Sequence, residues 1–199
     1  MSAVATPTEK HQATQVMRIL RTLYLIRILF AVTWVVLVSA LGPSTRGDGA
    51  GLLIGLLLVV YPASDAIASI FEIRADRSMT PAWQYVNLVA GGLTALAVAA
   101  TAFYSVPTAI SIFGLWAIIS GVIQTAVAMI RRPRMRGQWP LILSGIGSVL
   151  GGLEYVSWSG TAIEGLNALA IYTEGGAFFY LLTVGWLFLA NRWPWPVES

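Results

Sequence analysis

The stretch Thr108-Ala-Ile-Ser-Ile-Phe-Gly-Leu-Trp-Ala-Ile-Ile-Ser-Gly-Val-Ile-Gln-Thr-Ala-Val-Ala-Met-Ile130 contains no charged residue and stops abruptly at Arg131, Arg132, Pro133, Arg134 and Arg136. Crossing about 30 Å of hydrocarbon takes roughly 20 mostly apolar residues in a helix, so this stretch reads as a membrane span. Only Ser105, Val106 and Pro107 separate it from an earlier apolar run that ends at Tyr104, and the two runs therefore form a tight hairpin. Working outward, the same reading gives six spans at about 21–41, 51–73, 85–104, 108–130, 139–158 and 166–190. The first includes Arg27, because 28–41 alone is too short to cross the membrane. The expected fold is an all-α membrane protein, one six-helix transmembrane domain over 18–192. A disordered tail is expected at 1–17 and a short tail at 193–199.

Composition agrees with this class. The 199 residues are 57% hydrophobic and 11% charged, against about 25% charged in ordinary soluble domains. Six spans leave no room for a soluble catalytic domain. There is no cysteine, and the one histidine, His11, stands in the polar tail, so thiol chemistry, zinc sites and haem ligation lack ligands. Neither a metal nor another cofactor is expected, and no enzyme constellation is visible. The formal charge of +3 needs no nucleic-acid partner, because the arginines follow the positive-inside pattern. Arg18, Arg21, Arg74, Arg77, the arginines of 131–136 and Arg192 fall at one end of the alternating spans, with Arg46 alone at the other. Both termini are thus expected in the cytoplasm, with the loops 44–48, 105–107 and 159–165 outside. Val38-Ser39-Ala40 offers a signal-peptidase-like site, but the charged region before it is too long for a signal peptide. The expected partner is the lipid bilayer, with no soluble partner indicated.

The spans repeat weakly. Residues 114–121 lie in register over 55–62 and 168–175, and 83–91 over 139–147, which gives three helical hairpins in tandem. Small residues recur every four positions, with Gly91, Gly121, Gly147 and Gly151 as the packing candidates that would let helix backbones approach. That spacing suits packing inside one bundle or a seam between copies in a homo-oligomer. Trp34, Trp116 and Trp186 fall mid-span and are expected to be packing residues whose indole N–H groups need partners.

Ionisable residues within spans are costly and mark function by default. Arg27 and Asp65, counted inward from the arginine-rich end, reach similar depths and are a candidate buried ion pair; the alternative is an arginine snorkelling to headgroups beside a neutral aspartate. Glu154 and Glu174 occupy the outer halves of consecutive spans and are candidates for a titratable pair, hydrogen-bonded by Tyr155, Asn167 or Tyr172. The alternative is one neutral glutamate or one that reaches the outer interface. Glu72, close to Arg74, is expected at the interface.

The stretch Phe113-Gly-Leu-Trp-Ala-Ile-Ile-Ser-Gly-Val-Ile-Gln124, with Ala128, the arginine-rich loop and Gly137-Gln-Trp-Pro-Leu-Ile-Leu-Ser-Gly145-Ile-Gly-Ser-Val-Leu-Gly-Gly152, resembles the HdeD family of bacterial inner-membrane proteins. The resemblance implies a six-span protein built from a short repeat, associated with acid resistance and stress, without established catalytic residues. The first hairpin departs from the pattern, with Pro62 in place of a glycine and Asp65 where Gln124 stands. A non-enzymatic stress-protective membrane protein is the leading expectation, and a small proton or ion transporter using buried carboxylates is the alternative.

Overall fold

The computed structural model describes residues 7–45, 47–75, 81–133 and 138–192. All regular structure among them is helical: α1 (Pro7–Leu41), a short 3-10 turn (Gly42–Ser44), α2 (Leu52–Ala75), α3 (Pro81–Thr101), α4 (Val106–Arg131), α5 (Trp139–Val156) and α6 (Ala162–Arg192). Each of the six contains a segment long and apolar enough to cross a membrane. Large apolar side chains cover the outside of the bundle, and Leu29 and Leu96 are each 70% exposed. Such a surface is stable only against lipid, so the chain is a multi-pass membrane protein.

Several boundaries differ from expectation by a few residues, α3 covering Pro81–Thr101 and α4 starting at Val106, and two of the differences have clear local reasons. α1 begins at Pro7, so residues 7–17 are helical and not an irregular tail. Alanine, glutamine, methionine and lysine there are adequate helix formers, and the span behind them supplies the nucleus from which a helix extends. α6 begins at Ala162, within the segment expected to be loop. Thr161 and Glu164 form a reciprocal capping box: Glu164 Oε2 accepts from Thr161 N and Oγ1 (both 2.8 Å), and Glu164 N donates to Thr161 Oγ1 (3.3 Å). The expected terminal positions 1–6 and 193–199, with Trp193 and Trp195, lie outside the described residues, as do Arg46, Arg77, Arg134 and Arg136.

The helices stand in a ring in chain order, closed by α1 against α6. The closest pairings are α4 with α5, α2 with α3 and α1 with α6, so the packing unit is offset by one helix from the hairpin repeat read in the sequence. Glycine explains the tightest of these seams. A Cβ on Gly121 would lie 2.6 Å from Gly145 O, and one on Gly114 would lie 2.8 Å from Gly152 O, so these backbones touch without side chains between them. Gly91 faces Pro62 O and the Ala66 Cβ in the same way, at 3.0 and 3.1 Å.

At the end away from the arginines, two loops are laced together. Ala50 N donates to Ala102 O (2.8 Å) and Val106 N to Asp48 O (2.6 Å). A Cβ on Gly49 would meet Phe103 O at 2.5 Å, so this crossing requires glycine. Beneath it lies an apolar core that includes Leu58, Val98, Val106, Ile110, Phe113, Leu166 and Leu169.

Candidate functional site

Asp65, Ser69 and Glu72 are spaced i, i+4, i+7 along α2 and therefore share one face. That face turns into the ring. Arg27 on α1 meets it: NH1 lies 2.6 Å from Asp65 Oδ1 and donates to Tyr180 OH on α6 at 2.8 Å, while NH2 donates to Glu72 Oε1 at 3.3 Å. From α3, Asn87 Nδ2 donates to Asp65 Oδ2 (2.7 Å) and Ser69 Oγ (2.9 Å), and Gln84 Nε2 donates to Glu72 Oε2 (2.7 Å). Arg131, the last residue of α4, adds a contact from NH1 to Glu72 Oε2 at 3.4 Å. Two guanidinium groups and two carboxylates thus form one network across α1, α2, α4 and α6, braced by neutral amides from α3.

Glu72 is 7% exposed: near the end of α2 it turns into this network and not to the outer surface beside Arg74. Its distance from Arg74 along the chain is short, but the two residues point to different faces, and Arg74 is exposed. Arg131 is 1% exposed, although its arginine-rich surroundings gave it the character of a loop residue. Gln84, Asn87 and Arg131 were not among the sequence candidates. The 65/69/72 stripe was a signal for the acidic face, and Gln84 with Asn87, one turn apart in α3, for its neutral counterpart.

A cavity of about 120 Å³ opens beside the network. One wall is charged and holds Arg27, Asp65, Glu72 and Arg131. The facing wall is neutral. Ser120 and Gln124 on α4 and Ser144 and Ser148 on α5 form two i, i+4 stripes, brought side by side by the glycine contacts of the α4–α5 seam. Gln124 Nε2 donates to Leu141 O (3.0 Å), and Ser148 Oγ accepts from Tyr172 OH (3.0 Å). Tyr61, Trp116 and Tyr172 make an aromatic floor, joined through Phe113, whose ring centroid is 4.8 Å from that of Trp116 and 5.6 Å from that of Tyr172. Past this floor comes the apolar core, so the polar space stops partway through the bundle.

The other sequence candidates separate. Glu154 and Glu174 are both exposed, on the outside of α5 and α6, and neither makes a hydrogen bond or ion pair among the described residues. They are not level. Tyr172, two positions before Glu174, lies against Gly151 and Ser148, so Glu174 sits well below Glu154. Tyr155 OH donates instead to Ala168 O (2.9 Å), Tyr172 OH to Ser148, and Asn167 is exposed. Glu174 stands about 18 Å along α6 from Ala162, in the lipid-facing belt. Glu174→Leu is expected to raise the unfolding free energy in micelles by about 1–3 kcal/mol, because a costly mid-span acid is removed. A loss of stability instead would mean that the carboxyl meets a partner in the membrane, a second copy included.

Gly91 and Gly121 lie at helix contacts, and Gly151 lies 3.3 Å, measured from an added Cβ, from the Tyr172 ring. Gly147 faces open space and packs against nothing, which corrects its expected role; Gly114, Gly145 and Gly152 carry the seam instead. Trp34 is buried, and its Nε1 donates to Leu57 O at 2.7 Å, beside the Leu58 carbonyl that loses its helical donor to Pro62. Trp116 is buried with Nε1 unpartnered, whereas Trp186 is 48% exposed and faces outward, not into the packing. Among the described residues no group of three or more His, Cys, Asp or Glu side chains is placed to hold a metal ion.

Comparison with known families locates one segment. Residues 86–155 match the family model described as "Short repeat of unknown function (DUF308)". The matched segment runs from α3 through α5 and covers less than half of the chain. It includes Asn87, the neutral wall and Arg131, while Arg27, Asp65, Glu72 and Tyr180 fall outside it. No curated protein and no solved structure matches the chain.

Proposed function

We propose that this chain is a non-enzymatic inner-membrane protein of HdeD-like type, with both termini cytoplasmic, whose working part is the cavity: it takes up a small polar solute from the arginine-rich end and passes it to the far side when the apolar core beneath the aromatic floor parts. The observation that carries this reading is the cavity beside four ionisable side chains within a bundle of spans. A scaffold needs neither, because ionisable groups within a span, as Arg27 and Asp65 are, are expensive and a void forfeits packing contacts. The acid-resistance and stress association comes with the HdeD-like resemblance, and the short-repeat match over 86–155 supports that family reading.

Proton or ion transport through Asp65 and Glu72 is the second reading, favoured by two carboxylates lining the same space. Proteoliposomes separate the two. Swelling driven by small polar solutes, with no collapse of an imposed pH gradient, is expected. Collapse of the gradient that Asp65→Asn abolishes would favour the second reading, and vesicles tight to both solutes and protons would leave the scaffold reading standing.

A further inference from the structure

Every oxygen of the two cavity carboxylates already has a donor. Asp65 Oδ1 is held by Arg27 and Oδ2 by Asn87; Glu72 Oε1 is held by Arg27 and Oε2 by Gln84 and Arg131. A cation entering the cavity would share these oxygens with donors already in place, among them two guanidinium groups whose positive charge opposes it. Arg27 Nε is buried without a hydrogen-bond partner, but it belongs to a guanidinium whose NH1 is 2.6 Å from Asp65 and whose NH2 is 3.3 Å from Glu72, so its charge is already compensated. Either ion would bring an uncompensated charge to a charge-balanced network.

The hydrogen-bonding capacity left over is largely neutral. Gln124 Oε1 is an acceptor once Nε2 is used on Leu141 O, and Ser120 and Ser144 present hydroxyls. Two further cavity residues, both more than nine-tenths buried, carry unpartnered neutral groups: the Trp116 Nε1 donor and the Asn87 Oδ1 acceptor. A volume of about 120 Å³ has room for several water molecules, and so for a solute of a few heavy atoms. The aromatic floor of Tyr61, Trp116 and Tyr172 suits the face of a flat group.

Resting on the transport reading above, we infer that the cavity takes a small uncharged solute with hydrogen-bonding edges, of the simple amide class, and rejects ions of the same shape. The charged wall holds the helices in place and polarises the site, while the neutral wall and the floor recognise the solute.

Three planar solutes of equal size test this: acetamide, acetate and acetamidinium, their uptake into proteoliposomes of the full chain being measured against protein-free vesicles at neutral pH. Protein-dependent acetamide uptake should exceed that of both ions by about two orders of magnitude, the ratio that follows from carrying one uncompensated charge to the centre of a span. Ser120→Ala, which removes no side-chain hydrogen bond among the described residues, should slow acetamide about fivefold, the loss of one neutral hydrogen bond, and Gln124→Leu should slow it further. Acetate or acetamidinium carried as fast as acetamide overturns the uncharged class but leaves the transport reading intact. Acetamide flux unchanged in both variants overturns the neutral wall as the recognition surface. No protein-dependent flux of any of the three overturns the inference and the transport reading together.

Discussion

Asp65→Ala is expected to destabilise the bundle by about 3 kcal/mol, the lower end of what breaking a buried ion pair costs. The upper end is not reached because Arg27 keeps Glu72 at 3.3 Å and Tyr180 at 2.8 Å when the aspartate is lost. Arg27→Met should be comparably harmful, since it leaves Asp65 with only the Asn87 bond. The double variant decides whether the residues act as a unit. With the pair removed together, no uncompensated charge remains between them, so the combined loss should fall short of the sum by at least about 1 kcal/mol. Equilibrium unfolding in mixed micelles measures all three. Additive losses would show that the 2.6 Å contact contributes geometry without coupling, and that each group is satisfied by its other partners.

The glycine series should give an equally large contrast without touching a charge. Gly121→Ala and Gly152→Ala each drive a methyl group into backbone across the α4–α5 seam, at 2.6 Å from Gly145 O and 2.7 Å from Gly114 O. Backbone cannot rotate away, so the helices must separate, and the expected loss is about 2–3 kcal/mol, in the range of overpacked cores. Gly147→Ala meets nothing within 4 Å and should be neutral or slightly stabilising, by up to about 1 kcal/mol from helix propensity. Because Ser144 and Ser148 ride on the same helix, parting the seam should also disturb the neutral wall, so Gly121→Ala should lower acetamide flux while Gly147→Ala leaves it unchanged. Equal stability of the two variants would show that the seam gives way without cost.

Depth along a helix was legible in the sequence, but rotation about its axis was not. Arg27 and Asp65 reach one level because both are counted from the arginine-rich end at a fixed rise per residue, and the structure places them 2.6 Å apart. Glu154, Gly147 and Trp186 illustrate the missing coordinate, and Glu174 adds an error of depth, because α6 begins at Ala162 and not near residue 166. In a soluble helix the polar face reveals which side is outside, whereas lipid is as apolar as the core, so a span that is apolar all round carries no such mark. Gly147 and Gly145 are two positions apart and point to different sides, one to open space and one to Gly121. Where polar residues line up within a span, the face becomes readable again, as with Asp65, Ser69 and Glu72. Arg131 and Gln84 were hidden for another reason: they stand at span ends, where a charged or polar residue is ordinary.

The closure of the ring by α1 and α6 sets an order of events during synthesis. Arg27 and its Tyr180 partner are 153 positions apart, which at about 5–20 residues per second separates their emergence from the ribosome by roughly 8–30 s. Asp65 follows Arg27 by 38 positions and Glu72 by 45, so the acids arrive early enough to neutralise the arginine while most of the chain is still unmade. The α6-facing side of α1, including Leu20 and Tyr24, waits much longer and faces lipid or an insertion factor in the meantime. A nascent chain stalled before α6 would therefore hold its charge pair but keep an open flank, a form that membrane quality control can distinguish from the finished protein.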